Sequence, residues 1–225
     1  MDDLAKRALT GLARFQIALA LMIFLPAWSP RYWQGWIYWL LFGASCAFIT
    51  LYFLRHDRAL IARRMQAGPA AETEPRQKLI LTVASVALIA MYIVSALDYR
   101  FGWSFVSNWL VLAGDALLVL SFHGFFLTFR QNGFAAATVK VESEQRVIST
   151  GLYAVVRHPM YAFAVLLFLA TPLALGSWWG LVPAALLLAT LVWRLLDEER
   201  YLAGNLPGYI DYQRRVRTRL IPGIW

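Results

Sequence analysis

Six long apolar stretches divide the chain and constrain its fold more than any other feature of the sequence. A helix that crosses a bilayer needs roughly 20 mostly apolar residues, and a run of about 18 or more is a candidate span. The first four stretches reach that length, and the last two are slightly shorter. The sequence therefore predicts an all-α fold, a polytopic transmembrane helix bundle of about six spans. The stretches are 9–28, 33–54, 79–97, 105–129, 159–175 and 181–196.

Polar segments between the stretches differ in length. The last two stretches are separated by Gly176 to Gly180, so we expect them to form a short antiparallel hairpin. The segments 55–78 and 130–158, together with the chain beyond 194, are long enough to form a cap over the helix ends. Within this cap we predict a short strand from alternating residues and an interfacial helix from a helical repeat of tyrosines. They lie at 138–142 and 209–217.

The composition excludes several classes of protein. The chain of 225 residues is 60% hydrophobic, with 10 Trp, 10 Tyr and 14 Phe, which is too apolar for an ordinary soluble domain. Its net charge is +8, and the basic residues lie in the loops between apolar stretches, so we expect no nucleic-acid partner. With Cys46 as the single cysteine and three scattered histidines, we expect neither a disulfide framework nor a metal site.

The basic residues predict the orientation in the membrane. Among 21 Lys and Arg residues, Arg31 and Arg100 alone fall on one side of a six-span arrangement. Because cytoplasmic loops collect Lys and Arg, we expect both termini in the cytoplasm. The preference for Arg over Lys suggests a GC-rich bacterium, and hence a multi-pass protein of the bacterial inner membrane.

A first polar cluster precedes the fifth apolar stretch. Gly151 allows a turn with positive φ, and Pro159 suits the first turn of a helix. Arg157 and His158 stand at the helix N-terminus, where free N–H groups favour a carboxylate or another anion. An interfacial anchor, with Arg reaching the headgroups and Tyr lying beside them, explains the same residues equally well.

A second polar cluster, Asp197-Glu198-Glu199-Arg200, ends the sixth stretch. An ion pair between Glu198 and Arg194, one helical turn away, explains one acid and leaves Glu199 unexplained. Because the hairpin brings both clusters to the same membrane face, we expect them to be neighbours. A site with cationic, imidazole and carboxylate groups would suit a zwitterionic ligand.

Three polar residues lie inside the fourth apolar stretch: Asn108, Asp115 and His123. Ionisable groups within the bilayer are candidates for function. Hydrogen bonding between helices is the simpler explanation, and we favour it over a catalytic role.

Five short motifs follow one another through the last third of the chain. They are Gly151-x-Tyr153, Arg157-His158-Pro159-Met160-Tyr161, Glu198-Glu199, Gly208-Tyr209-x-x-Tyr212 and Arg219-Leu220-Ile221-Pro222. In order and spacing they resemble the isoprenylcysteine carboxyl methyltransferase and phospholipid methyltransferase family, in its bacterial form. The resemblance is strong over 138–225, weaker over 55–78 and absent from the first two spans. We therefore expect a single integral-membrane domain over 1–225, with an N-terminal helix pair at 1–54 and a methyltransferase core at 55–225.

The resemblance implies an integral-membrane methyltransferase that uses S-adenosylmethionine. It implies Arg157, Glu199 and Arg219 as catalytic residues. The arginines and His158 would meet the carboxylate of the cofactor, a glutamate its ammonium, and tyrosines its adenine or sulfonium. Outside the enzymes, a small membrane binding or transport protein is the alternative. The implied cofactor-binding residues are Gly151, Tyr153, His158, Pro159, Tyr161, Glu198, Glu199, Tyr209 and Tyr212.

One position departs from the family pattern. The family usually has Gly two residues after the Tyr of the Arg-His-Pro-x-Tyr motif, and this chain has Phe163. We expect its ring to narrow the cofactor groove or the lipid entrance.

The acceptor is the least constrained part of the prediction. A carboxylate is ionised near pH 7 and needs positioning donors but no base, whereas an amine must first lose a proton to a base such as His123 or a glutamate. Arg157, Arg217 and Arg219 favour a carboxylate. We therefore predict carboxyl O-methylation of an isoprenylcysteine-like or other lipophilic acid, free or lipidated, with N-methylation of a phospholipid or small amine as the alternative.

Overall fold

The computed structural model describes residues 2–66, 68–72, 74–134 and 146–225. This part of the chain contains eight α-helices and two short 3-10 helices, at Pro69–Ala71 and Gly151–Ala154, and no strand. The all-α prediction is confirmed for it. The α-helices are α1 (Asp3–Ala27), α2 (Trp33–His56), α3 (Arg58–Met65), α4 (Pro75–Phe101), α5 (Asn108–Gln131), α6 (Pro159–Ala174), α7 (Leu181–Asn205) and α8 (Tyr209–Arg215).

Within the described residues, helices α1, α2, α4 and α5 are each long and apolar enough to cross a membrane, and α6 is a shorter apolar helix. Their positions match the apolar stretches of the sequence, which confirms a membrane protein with several spans. The number of six spans, the cytoplasmic location of both termini and the single-domain division stay predictions. The strand predicted at 138–142 lies outside the described residues.

Helix α7 is longer than its apolar stretch. It continues from Leu181 to Asn205, so the acidic cluster at 197–199 lies on the helix, within the first turn beyond Leu196. The polar end of α7 therefore projects from the bundle towards the N-terminal end of α4, where Gln77 Nε2 donates to Asp197 Oδ2 at 2.6 Å.

Helices α6 and α7 form the predicted hairpin, but each packs more extensively on another helix. Helix α6 lies mainly against α5, and α7 lies mainly against α4. Gly114 of α5 allows this approach, because a Cβ there would lie 2.5 Å from the backbone nitrogen of Ala174. The hairpin is thus built into the bundle rather than forming a separate unit.

Tyrosine hydroxyls bond within the apolar core. Tyr38 is fully buried, and its hydroxyl lies 2.8 Å from the Tyr92 hydroxyl and 3.1 Å from Thr171 Oγ1. These bonds join α2, α4 and α6. A buried polar group is costly without a partner, so the chain of hydroxyls favours one arrangement of the three helices.

Candidate functional site

The Glu199 carboxylate lies at the centre of the candidate site. Its Oε1 accepts from Arg157 Nε at 2.7 Å and lies 3.2 Å from His158 Nε2, while its Oε2 accepts from Arg219 Nε at 2.9 Å. These residues come from α7, from the start of α6 and from the C-terminal segment. The structure thus brings together the three residues predicted as catalytic and one predicted to bind the cofactor, although they are up to 62 positions apart in sequence.

Backbone hydrogen bonds hold the C-terminal segment against the start of α6. The amides of Arg157 and His158 donate to the carbonyls of Thr218 and Arg219, both at 3.0 Å. Arg157 Nη1 also donates to the carbonyls of Val216 and Arg217, at 2.8 and 2.9 Å. Arg157 therefore positions both the Glu199 carboxylate and the C-terminal segment.

Glu199 is ionised at neutral pH. Burial opposes its ionisation, since its side chain is 6% exposed, but hydrogen bonds from His158, Arg157 and Arg219 outweigh burial and hold the pKa of Glu199 at about 2. Two guanidinium groups surround this one carboxylate, so the cluster of Arg157, Glu199 and Arg219 carries an excess of positive charge. Such a cluster can attract an anionic group.

Glu198 belongs to a second chain of contacts beside the first. The Tyr161 hydroxyl donates to Glu198 Oε2 at 2.5 Å and accepts from Arg194 Nε at 3.1 Å. Arg194 Nη2 in turn donates to Glu72 Oε1 at 3.0 Å. The Tyr161 ring stacks on His158, with centroids 5.5 Å apart. Helical spacing predicted an ion pair between Arg194 and Glu198. In the structure the Tyr161 hydroxyl lies between these two groups and bonds to both.

The tyrosines of α8 face the protein interior. Tyr209 and Tyr212 are buried with Leu206, Tyr153 and Val216, so the predicted common face of this helix is confirmed. The Tyr212 hydroxyl donates to the Tyr153 carbonyl at 2.7 Å. The two rings thus lie against protein, and the location of the helix at the membrane interface stays a prediction.

The Tyr209 hydroxyl is buried and has no hydrogen-bond partner within the described part of the chain. Burial, with Glu199 and Glu198 nearby, raises the pKa of Tyr209, so the hydroxyl stays protonated and able to donate. A buried polar group without a partner costs about 1–3 kcal/mol. A bound ligand or ion is one explanation for such a group.

Gly151 and Pro159 define the backbone on either side of this cluster. Gly151 has a φ of 59°, as predicted, and a Cβ there would lie 2.6 Å from Gln131 Oε1, the atom that accepts from the Leu152 amide. Pro159 is buried in the first turn of α6, also as predicted. The structure gives both residues a role in shaping the segment, and direct contact with a cofactor stays a prediction.

The Phe163 ring packs between α6 and α5. It lies against Gly124 of α5, where a Cβ would be 2.2 Å from Phe163 Cδ1. The large side chain on α6 therefore faces a position on α5 that has no side chain. A narrowing of the cofactor groove or of the lipid entrance by this ring stays a prediction.

The polar residues of the fourth apolar stretch do not form a cluster. Asp115 is buried, and neither carboxylate oxygen has a partner within the described residues. Asn108 is exposed, and His123 lies on an exposed face, beside a groove of about 340 Å³. Their separation gives no support to a joint catalytic role. The described residues also contain no group of three or more His, Cys, Asp or Glu that could hold a metal ion.

Two residues of the site were missed by sequence reasoning. Glu72 is buried and binds Arg194, although it lies in the 55–78 segment, which was predicted only as part of the cap over the helix ends. Arg64 lies near Met160, with its Nη1 3.7 Å from the sulfur. Both charged residues belong to the 55–78 segment, so we infer that this segment helps to position the side chains of the site.

Comparison with known protein families adds a second, independent observation. Residues 109–206 match the phospholipid methyltransferase family. The match confirms the family resemblance and indicates a membrane methyltransferase. It includes Arg157, His158, Tyr161, Glu198 and Glu199, and it ends before Tyr209 and Arg219. No curated protein matches the chain.

Proposed function

We propose that the protein is an S-adenosylmethionine-dependent methyltransferase that acts on a membrane-resident acceptor, by carboxyl O-methylation of a lipophilic acid. The observation that carries the proposal is the Glu199 cluster. It combines an excess of positive charge with a buried Tyr209 hydroxyl that has no partner within the described residues, and Arg157, His158 and Glu199 lie within the segment that matches a methyltransferase family.

The residues present fit the cofactor. Its α-carboxylate suits Arg219, whose side chain is 31% exposed and therefore accessible from outside the cluster. Its α-ammonium suits Glu198, which is bonded to a neutral hydroxyl. The Tyr209 hydroxyl supplies a donor for a polar group of the nucleoside, and the rings of Tyr209 and Tyr212, with centroids 5.8 Å apart, offer aromatic faces.

When bound, S-adenosylmethionine supplies a methyl group on a positively charged sulfur, which leaves as a neutral thioether when an acceptor oxygen forms the new bond to carbon. The protein's own contribution is to hold and orient. Arg157 and Glu199 keep the C-terminal segment in place, and Arg219 is the guanidinium best placed to meet an anionic group. Catalytic roles for these three residues are proposals.

The properties of Glu199 favour a carboxylate acceptor over an amine. A general base works best when its pKa lies near the operating pH. The pKa of Glu199 is held at about 2, so this carboxylate is a poor base, and the ring of His158 is directed at it. A carboxylate acceptor needs no base and is attracted by the excess positive charge.

N-methylation of a phospholipid amine is the second candidate, because the matched family is described by its phospholipid substrates. Incubation of the purified protein with methyl-labelled S-adenosylmethionine and a membrane extract distinguishes the two reactions. We expect the label to be released as methanol by mild base, since methyl esters hydrolyse. Label that stays in a base-stable lipid would favour the amine.

Cofactor binding is tested separately by calorimetric titration with S-adenosylhomocysteine in detergent. We expect saturable binding to the wild-type protein. A correctly folded protein that binds neither S-adenosylhomocysteine nor S-adenosylmethionine would exclude the enzyme and favour a membrane binding or transport protein.

A further inference from the structure

A cavity of about 590 Å³ lies beside the Glu199 cluster, at the same end of the bundle. It is lined by one face of the first half of α1, by the middle and end of α2, by one face of α3 and by the second half of α5, with one residue from α6. Its walls are largely aromatic and include Phe53, Phe122, Phe125 and Phe129. Its volume lies in the usual range for small-molecule sites, about 300–1,000 Å³.

Two arginines line this apolar cavity. Arg7 is exposed and forms an ion pair with Asp3, with Nε 3.0 Å from the carboxylate. Arg64 is half-buried, and its guanidinium lies over the Phe129 ring at 4.1 Å from the centroid. Burial lowers the pKa of Arg64 to about 10, so the group is still a cation near pH 7. The cavity therefore offers an apolar volume with a positive charge at one wall.

Met160 separates the cavity from the candidate site. It packs against the cluster of Phe53, Leu60 and Phe129 on one side and against the cluster of Tyr161, Leu195 and Leu220 on the other. It also contacts Arg64, whose Nη1 lies 3.7 Å from its sulfur. An unbranched thioether side chain changes rotamer easily. Met160 would thus be the one side chain between a group bound by Arg64 and Tyr161.

We propose that this cavity binds the acceptor, a lipophilic carboxylic acid whose apolar chain lies among the phenylalanines and whose carboxylate is held by Arg64. The proposal rests on the proposed function and adds the place and the recognition of the substrate. Guanidinium groups bind carboxylates through paired hydrogen bonds. The same charge repels an ammonium group, so Arg64 also selects against an amine acceptor.

The test is equilibrium binding of radiolabelled oleate to the full-length protein in lipid nanodiscs, with empty nanodiscs as background. Methyl oleate and oleylamine serve as probes with the same chain and a neutral or cationic head. We expect saturable binding of oleate that is at least about tenfold tighter than that of either probe, which corresponds to one charge-assisted contact.

Two variants separate the charge from the volume. Arg64→Gln is expected to weaken oleate binding about tenfold and leave methyl oleate unchanged. Gly11→Phe is expected to weaken both ligands, because Gly11 lines the cavity and a side chain there meets open space. The matched control is Arg130→Gln, which removes an arginine over the Phe126 ring outside the cavity lining and is expected to change neither.

The proposal is overturned if wild-type protein shows no saturable oleate binding, or if Arg64→Gln binds oleate as tightly as wild type. Equal binding of all three probes would mean that a bilayer chain occupies the cavity, which also overturns it. Titration with S-adenosylhomocysteine keeps this result distinct from the proposed function. Arg64-dependent oleate binding without cofactor binding would reject the methyltransferase and leave the carboxylate site.

Discussion

Two buried carboxylates lie at opposite ends of the helix bundle, and their surroundings differ in kind. Asp98, at the end of α4, accepts from the Ser104 amide at 2.7 Å, from Ser104 Oγ at 2.6 Å and from Ser177 Oγ at 2.5 Å. All three donors are neutral. Glu199, near the end of α7, is instead bonded to two guanidinium groups and an imidazole.

The difference favours a structural role for Asp98 and supports the ligand-binding role proposed for the Glu199 cluster. The hydrogen bonds of Asp98 join α4 to the two neighbouring loops, and this structural role explains each of its partners. The Glu199 shell contains two guanidinium groups against one carboxylate, and nearby the Tyr209 hydroxyl has no partner within the described residues. We infer that the second guanidinium and this hydroxyl serve a ligand.

The largest effect is expected from Glu199→Gln. The substitution leaves the buried Arg157 guanidinium without its counter-charge, and breaking a buried pair in this way costs about 3–5 kcal/mol. The free energy of unfolding in detergent measures this cost, and cofactor titration should show lost affinity. Unchanged stability would mean that the ion pair contributes little to the fold.

The pH dependence of stability should follow from Glu199. Its pKa is about 2 in the folded protein against an ordinary 4.5, so between these values the unfolded chain binds a proton that the folded protein does not. Stability is therefore full above about pH 4.5 and falls as the pH is lowered towards 2, by about 3 kcal/mol in all. Melting curves of the wild type and Glu199→Gln should converge over this range. Parallel curves would assign the acid sensitivity to other groups.

Asp98→Asn is expected to have a smaller effect. The amide of Asn repeats one acceptor and places donors against the Ser104 or Ser177 donors, so one bond is lost, at about 1–3 kcal/mol. Because the site is at the other end of the bundle, affinity for S-adenosylhomocysteine should be unchanged. An altered affinity would show that the two ends are coupled.

The comparison also shows which parts of the molecule could be predicted from sequence. The long helices follow from hydropathy, because the bilayer sets their length. The turn at Gly151 and the start of α6 at Pro159 follow from backbone chemistry. The proximity of Arg157 and Glu199 followed from the hairpin, since both lie at the same end of paired helices.

Other contacts could not be predicted, because they join distant segments without a repeating pattern. Arg194 binds Glu72, 122 positions earlier in the chain. Helical period correctly placed Tyr209 and Tyr212 on one face, but it does not indicate whether that face meets lipid or protein. The bulk of Phe163 could be judged only once Gly124 was seen beneath its ring.

The smallest loss of stability, and the sharpest test of the ligand, is expected from Tyr209→Phe. The lost hydroxyl has no partner within the described residues, so the free energy of unfolding should not fall and should increase by at most about 1–3 kcal/mol. Affinity for S-adenosylhomocysteine should fall about threefold to tenfold, the value of one hydrogen bond. Tyr212→Phe is the matched control, because its hydroxyl already donates to the Tyr153 carbonyl at 2.7 Å. That variant should lose about 1 kcal/mol of stability and keep most of its affinity. If Tyr209→Phe binds as tightly as wild type, the hydroxyl does not contact the cofactor, and only the contact proposed for Arg219 would remain to be tested.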